Sequence, residues 1–223
     1  MTSCLQQAYD LLKEWQTLVA GALAILAAKM ATKPVWQQLD RMETQSRIMV
    51  RETLVRRIEE LEQRRRTARA AVGETVATIS QYLGWWDDDG SQIDENWAFE
   101  RSQVAAMDAG KFRAFRERNR DTPEIELAKD AVAAALTPLI ACLDDVHRPA
   151  STQQHDDDHD IPDEEWEAIE QRGEAAKLEV NGLHTVLRQA SDALDAEYST
   201  SLDLVRTKLV DVDSHLLSSL ENT

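Results

Sequence analysis

The stretch from Asp163 to Thr223, DEEWEAIEQRGEAAKLEVNGLHTVLRQASDALDAEYSTSLDLVRTKLVDVDSHLLSSLENT, decides the fold class. Trp166, Ile169, Gly173, Ala176, Val180, Leu183, Leu187, Ala190 and Leu194 follow one another in unbroken steps of three and four. Tyr198, Leu202, Val205, Leu209, Val212, Leu216 and Leu220 carry the pattern on, after two four-residue steps at 194, 198 and 202 that mark a stutter. Such steps return to one side of a 3.6-residue helix, whereas a strand needs alternation. At roughly 1.5 Å per residue this helix reaches about 80 Å. Its seam is too narrow for burial on several sides, so it requires a partner: the 36–83 helix folded back, or an identical chain.

Upstream of Pro162 the pattern stops. Arg148 to Asp160 reads RPASTQQHDDDHD, without apolar periodicity, and predicts a flexible acidic linker over 148–163. His155 and His159 among the aspartates are ligand types for a divalent metal. The hydrated linker is the simpler account of the same letters, so neither histidine is assigned as a metal ligand.

The middle region, 84–147, contains a helix start at Asp121-Thr122-Pro123-Glu124, with Thr122 as N-cap and Pro123 at the first helical position. That helix packs through Ile125, Val132, Leu139, Leu143 and Val146, with a kink expected near Ala134 from Pro138. Cys142 lies on its apolar stripe and reads as an inert packed thiol. Before it, residues 97–120 form a further helix whose Lys111 to Arg120 segment, KFRAFRERNR, reads as a solvated amphipathic face. Gly84 stops the preceding helix, and Trp85, Trp86, Trp97 and Phe99 suggest an aromatic plug around the break.

From Leu39 through Met42, Met49, Leu54, Ile58, Leu61, Ala68 and Val72 the three-and-four spacing returns, which predicts a juxtamembrane coiled coil over 37–83. Its polar face mixes Arg56, Arg57, Arg64, Arg65, Arg66 and Arg69 with Glu59, Glu60 and Glu62, giving i,i+4 support. Further upstream, Leu18 to Ala31 runs LVAGALAILAAKMA, interrupted only by Lys29. Trp15 and Trp36 bracket it, and 21 rises of roughly 1.5 Å set them about 31 Å apart, the thickness of a hydrocarbon core with Trp at both interfaces. Residues 15–36 are therefore read as one transmembrane helix after a short 1–14 tail. A buried core helix and a cleaved signal peptide are the competing readings; Asp10 and Glu14 speak against the basic start that a signal peptide needs. Lys33, Arg41, Arg47 and Arg51 follow the span and only Lys13 precedes it, which puts the body on the cytoplasmic side.

The string Glu14-Trp15-Gln16-Thr17-Leu18-Val19-Ala20-Gly21 leading into an Ala/Leu-rich segment resembles the start of small, uncharacterised single-pass proteins of α-proteobacteria. The resemblance covers about the first 35 residues. It implies a bacterial inner-membrane anchor and no activity.

Composition agrees with an all-α chain. Aromatic residues are 5% of the total and charged residues 30%, a profile of long solvated helices rather than of sheets. The net charge of −16 is uneven: residues 33–72 hold ten Lys and Arg against six acids, and 148–223 hold six against eighteen. An acidic distal half would be repelled by phosphates, so nucleic acid is not an expected partner. No nucleophile elbow, phosphate-binding loop, dinucleotide fingerprint or zinc-protease motif is present, and His147, His184 and His215 stand isolated. No catalytic, cofactor-binding or metal residue is assigned. The expectation is a membrane-anchored helical scaffold or adaptor, whose body at 164–223 and 37–83 forms a coiled coil or elongated bundle with itself or a protein partner. The alternative is a soluble helical regulator with 16–36 buried as a core helix.

Overall fold

A computed structural model describes residues 2–84, 93–155 and 161–221, and among these every regular element is an α-helix. There are four: α1 (Thr2–Leu83), α2 (Glu95–Arg118), α3 (Pro123–His155) and α4 (Asp163–Glu221). The chain divides into two units, one of residues 1–55 with 208–223 and one of residues 56–207.

In the 56–207 unit all four helices contribute to one apolar core. From α1 come Leu61, Ala68, Val72 and Ile79, and from α4 come Val180, Leu187, Leu194 and Leu202. Both sets are spaced as the sequence predicts. On α3 the stripe Ile125, Val132, Leu136, Leu139, Leu143 and Val146 is almost wholly buried. Each such Leu or Ile removed from water is worth about 1.5–3 kcal/mol. The buried line of α2 is of another kind: Ala98, Ser102, Ala105 and Asp108 precede Phe112 and Phe115. Its first turns bury small or short side chains, and the two phenylalanines supply the large apolar groups toward its end.

Local chemistry sets the ends. The Asp94 carboxylate accepts from the backbone N–H of Asn96 (2.8 Å) and Trp97 (3.0 Å), which caps α2. Pro123 opens α3 as expected, and the Glu126 carboxylate reaches back to the Asp121 N–H at 2.8 Å. α1 ends at Leu83, where the Gly84 N–H donates to the Ser80 carbonyl.

Two boundaries differ from the sequence reading. The 1–14 tail is helical from Thr2, continuous with the apolar segment. The 148–163 linker is shorter than its composition suggests, because α3 continues through Pro138 and Pro149 to His155 and α4 begins at Asp163. Packing explains the extension: Gly173 of α4 sits so close to α3 that a Cβ there would lie 3.0 Å from Pro149 Cγ and 3.4 Å from the Asp145 carbonyl. Tertiary contact holds turns that propensity alone would release. Trp85, Trp86 and His159 lie outside the described residues, and so does the side chain of His155.

Hydrogen bonds pair α4 with α1 of its own chain, and they run antiparallel: Glu62 with Arg206, Arg65 with Asp195, Val76 and Ser80 with His184. In the 1–55 and 208–223 unit the same sense holds, with Arg47 donating to the His215 carbonyl and Arg51 to Asp213.

Candidate functional site

Two features stand apart from ordinary helix packing: an uncovered apolar helix surface, and a buried set of charges where α1, α3 and α4 meet beside the α2–α3 turn.

The uncovered surface is on α1. By length and composition α1 is able to cross a membrane, and none of its most apolar stretch is buried. Trp15 is 66% exposed and Trp36 69%, and Val19, Leu23, Ile25, Leu26 and Met30 between them are exposed as well. Lys29 and Lys33 are exposed on the same helix. A helix that is apolar around most of its circumference calls for cover, and none of this stretch is buried among the described residues.

The charged set is centred on Lys129. Its ammonium donates to Asp121 Oδ2 at 2.7 Å, to Glu126 Oε1 at 2.9 Å and to the Asn119 carbonyl at 2.7 Å. It also lies 5.2 Å from the centre of the Phe115 ring. Asp121 in turn accepts from Arg64 at 2.6 Å and from the Tyr198 hydroxyl at 2.9 Å. The side chains of Lys129 and Asp121 are both inaccessible to solvent. Burial by itself would raise the Asp121 carboxyl, but hydrogen bonds from Lys129, Arg64 and Tyr198 outweigh it and hold the group below the usual carboxylate range. Burial and the same carboxylate push the Tyr198 hydroxyl far up. Every charge here is matched, and three helices with the α2–α3 turn are tied at one point. Lys129, Asp121 and Tyr198 are enclosed and mutually satisfied, an arrangement that positions helices, while Glu126 and Arg64 at its edge keep partial access to solvent.

Smaller polar joints repeat the theme. Asp108, fully buried on α2, accepts from the Thr75 N–H and hydroxyl at 3.1 and 2.8 Å and from Lys111 at 2.9 Å. His184 places Nε2 3.2 Å from the Val76 carbonyl and 3.0 Å from Ser80 Oγ, and burial lowers its pKa. Its isolation in the sequence is therefore misleading. It falls four residues after Val180 and three before Leu187, on the buried line of α4. His147 is also engaged, with Nδ1 3.2 Å from the Glu95 carbonyl and its ring against Phe99. Cys142 is buried, its thiol 3.2 Å from the Ala176 carbonyl and pushed up to about 11 by burial.

Of the aromatic plug, Trp97 stacks on Tyr82 with ring centres 4.0 Å apart. In the Lys111 to Arg120 segment, Phe112 and Phe115 point into the core while Arg113, Arg116 and Arg120 border a shallow groove of about 800 Å³ with Pro123 and Glu126. Among the described residues no group of three or more His, Cys, Asp or Glu is arranged to hold a metal ion. Comparison with protein-family models, with curated proteins and with solved structures gives no match.

Proposed function

We propose that this chain is a single-pass, membrane-anchored helical scaffold of the bacterial inner membrane, with residues 15–36 as the span and the helical body on the cytoplasmic side. Its work is to hold or recruit protein at the membrane, without catalysis. The body is read as an elongated bundle in which α1 and α4 form a coiled-coil pair. One observation carries the anchor: the described side chains from Val19 to Trp36 are all exposed, in a segment too apolar to be left in water. A soluble regulator with 16–36 as a core helix requires those side chains to be covered, and the exposure of Leu23, Ile25 and Met30 lends it no support.

The interlocked charges around Lys129 fit a scaffold, because they tie α1, α3 and α4 in one register. The test is carbonate extraction of membranes from cells expressing the full chain beside a chain that begins at Gln37. Retention of the first in the pellet and release of the second as a soluble helical protein is the expected result. Release of the full chain would remove the anchor and leave the soluble regulator.

A further inference from the structure

Between residues 56 and 83, α1 is met from two directions, by α4 through Arg65 and Asp195 and by the α2–α3 region through Arg64 with Asp121 and Thr75 with Asp108. Its apolar positions there are buried. Between 36 and 55 the inter-helix hydrogen bonds described go to α4, from Arg47 and Arg51. From Val35 onward, Val35, Leu39, Met42, Ser46, Met49 and Thr53 succeed one another in steps of four and three, so they share one stripe, and Arg47 and Arg51 fall on another. Leu39, Met42 and Met49 are 51%, 65% and 68% exposed. The stripe has the spacing of a helix seam, and its apolar side chains are left exposed among the described residues.

We propose that this stripe is the seam of a parallel homodimer, with α1 of a second copy lying along it. The proposal rests on the anchor reading in one respect: copies held by the same span in one bilayer point the same way and meet at equal height. Charge then favours a second copy as occupant. In a parallel pair the flanking positions that approach across the seam are Gln38 with Glu43, Gln45 with Val50 and Glu52 with Arg57, which include one opposite-charge pair and no like-charge pair. Ser46 and Thr53 punctuate the seam as polar positions that fix register, and the Thr53 hydroxyl is already satisfied by the Met49 carbonyl at 2.8 Å. The α4 seam that the sequence offers for self-association is, by contrast, occupied by α1 of the same chain between Glu62 and Ser80.

The experiment is site-directed disulfide crosslinking of the full chain in native membranes, with Cys4→Ser and Cys142→Ala as background. Single cysteines replace Met42 or Met49 on the stripe, and Arg41 or Ile48 on the far side of the helix. The expected result is a band at twice the chain mass from the stripe positions and little from the controls. Met42→Glu with Met49→Glu should abolish crosslinking through a cysteine at Leu39, while circular dichroism shows an unchanged helix content. Equal crosslinking at all positions, no dimer band at any, a band at the mass of a different protein, or a Leu39 crosslink that survives the glutamates would each overturn the proposal. Carbonate extraction of the same membranes reports on the anchor separately, so a chain that stays in the pellet without a stripe-specific dimer refutes the seam and leaves the anchor standing.

Discussion

Lys129 Nζ stands 2.7 Å from Asp121 Oδ2, and solvent reaches neither side chain. The pair is the centre of the tie between α1, α3 and α4, since Asp121 also holds Arg64 and Tyr198. Removing Lys129 leaves the buried Asp121 carboxylate without its ammonium partner. Lys129→Met should therefore cost about 3–5 kcal/mol, tempered by the Arg64 guanidinium that stays on Asp121. Tyr198→Phe removes one hydrogen bond to a charged group and should cost less, about 1.5–3 kcal/mol. Urea unfolding of the detergent-held chain followed by circular dichroism gives both values; a Lys129→Met chain as stable as wild type would mean that the network is dispensable.

His184 gives the stability a pH dependence. Burial depresses its folded-state pKa, with the Arg188 charge acting in the same direction and the Val76 carbonyl opposing. The unfolded chain, with an imidazole pKa of about 6.5, then takes up the proton first. Stability is full above about pH 6.5 and falls as the pH drops below it, by at most about 1.4 kcal/mol per pH unit. The carboxylates of Asp121, Glu126 and Asp195, held below their usual range, lose their contribution only under about pH 4. His184→Gln keeps a donor for the Val76 carbonyl and removes the titration. Urea midpoints at pH 7 and pH 5 should differ in wild type and converge in the variant.

Two glycines of α4 should respond in opposite directions. A Cβ at Gly182 meets nothing within 4 Å, so Gly182→Ala should stabilise the chain by about 0.5–1 kcal/mol through helix propensity alone. At Gly173 the Pro149 ring and the Asp145 carbonyl stand in the way, and Gly173→Val should destabilise by about 1–3 kcal/mol. Thermal melts of the two variants against wild type decide the matter, and a stabilised Gly173→Val would show that α3 is not held by this contact.

Leu26, 53% exposed, lies near the middle of the proposed span. An arginine at the centre of a spanning helix costs about 2.5–3.5 kcal/mol on insertion. Leu26→Arg should shift chain from the carbonate pellet to the supernatant, whereas Leu39→Arg, beyond Trp36, should leave the distribution unchanged. Equal behaviour of the two would argue against a span at 15–36.

The helices were legible where their apolar spacing is regular. The steps from Trp166 to Leu220, the stripe from Ile125 to Val146 and the Thr122-Pro123 start need only the 3.6-residue period and local capping. The polar core was not legible. Nothing in the local sequence marks Lys129 or Asp108, and Asp121 stands out only as part of a helix start, because a charged residue discloses its partner only when a distant segment is brought to it. Asp121 and Tyr198 are 77 positions apart, and Ser80 and His184 are 104 apart.

The sequence by itself determined that the chain is helical, where α3 begins, where α1 stops, and that the segment bracketed by Trp15 and Trp36 is long and apolar enough to cross a membrane. These are properties of neighbours three or four residues apart. Tertiary structure alone decided that α4 is paired antiparallel with α1 of its own chain, that α3 persists to His155 beside its contact at Gly173, and that the side chains of Lys129, Asp121 and Tyr198 are buried together. Each of these depends on which surfaces meet, and periodicity describes a surface without naming the one that covers it.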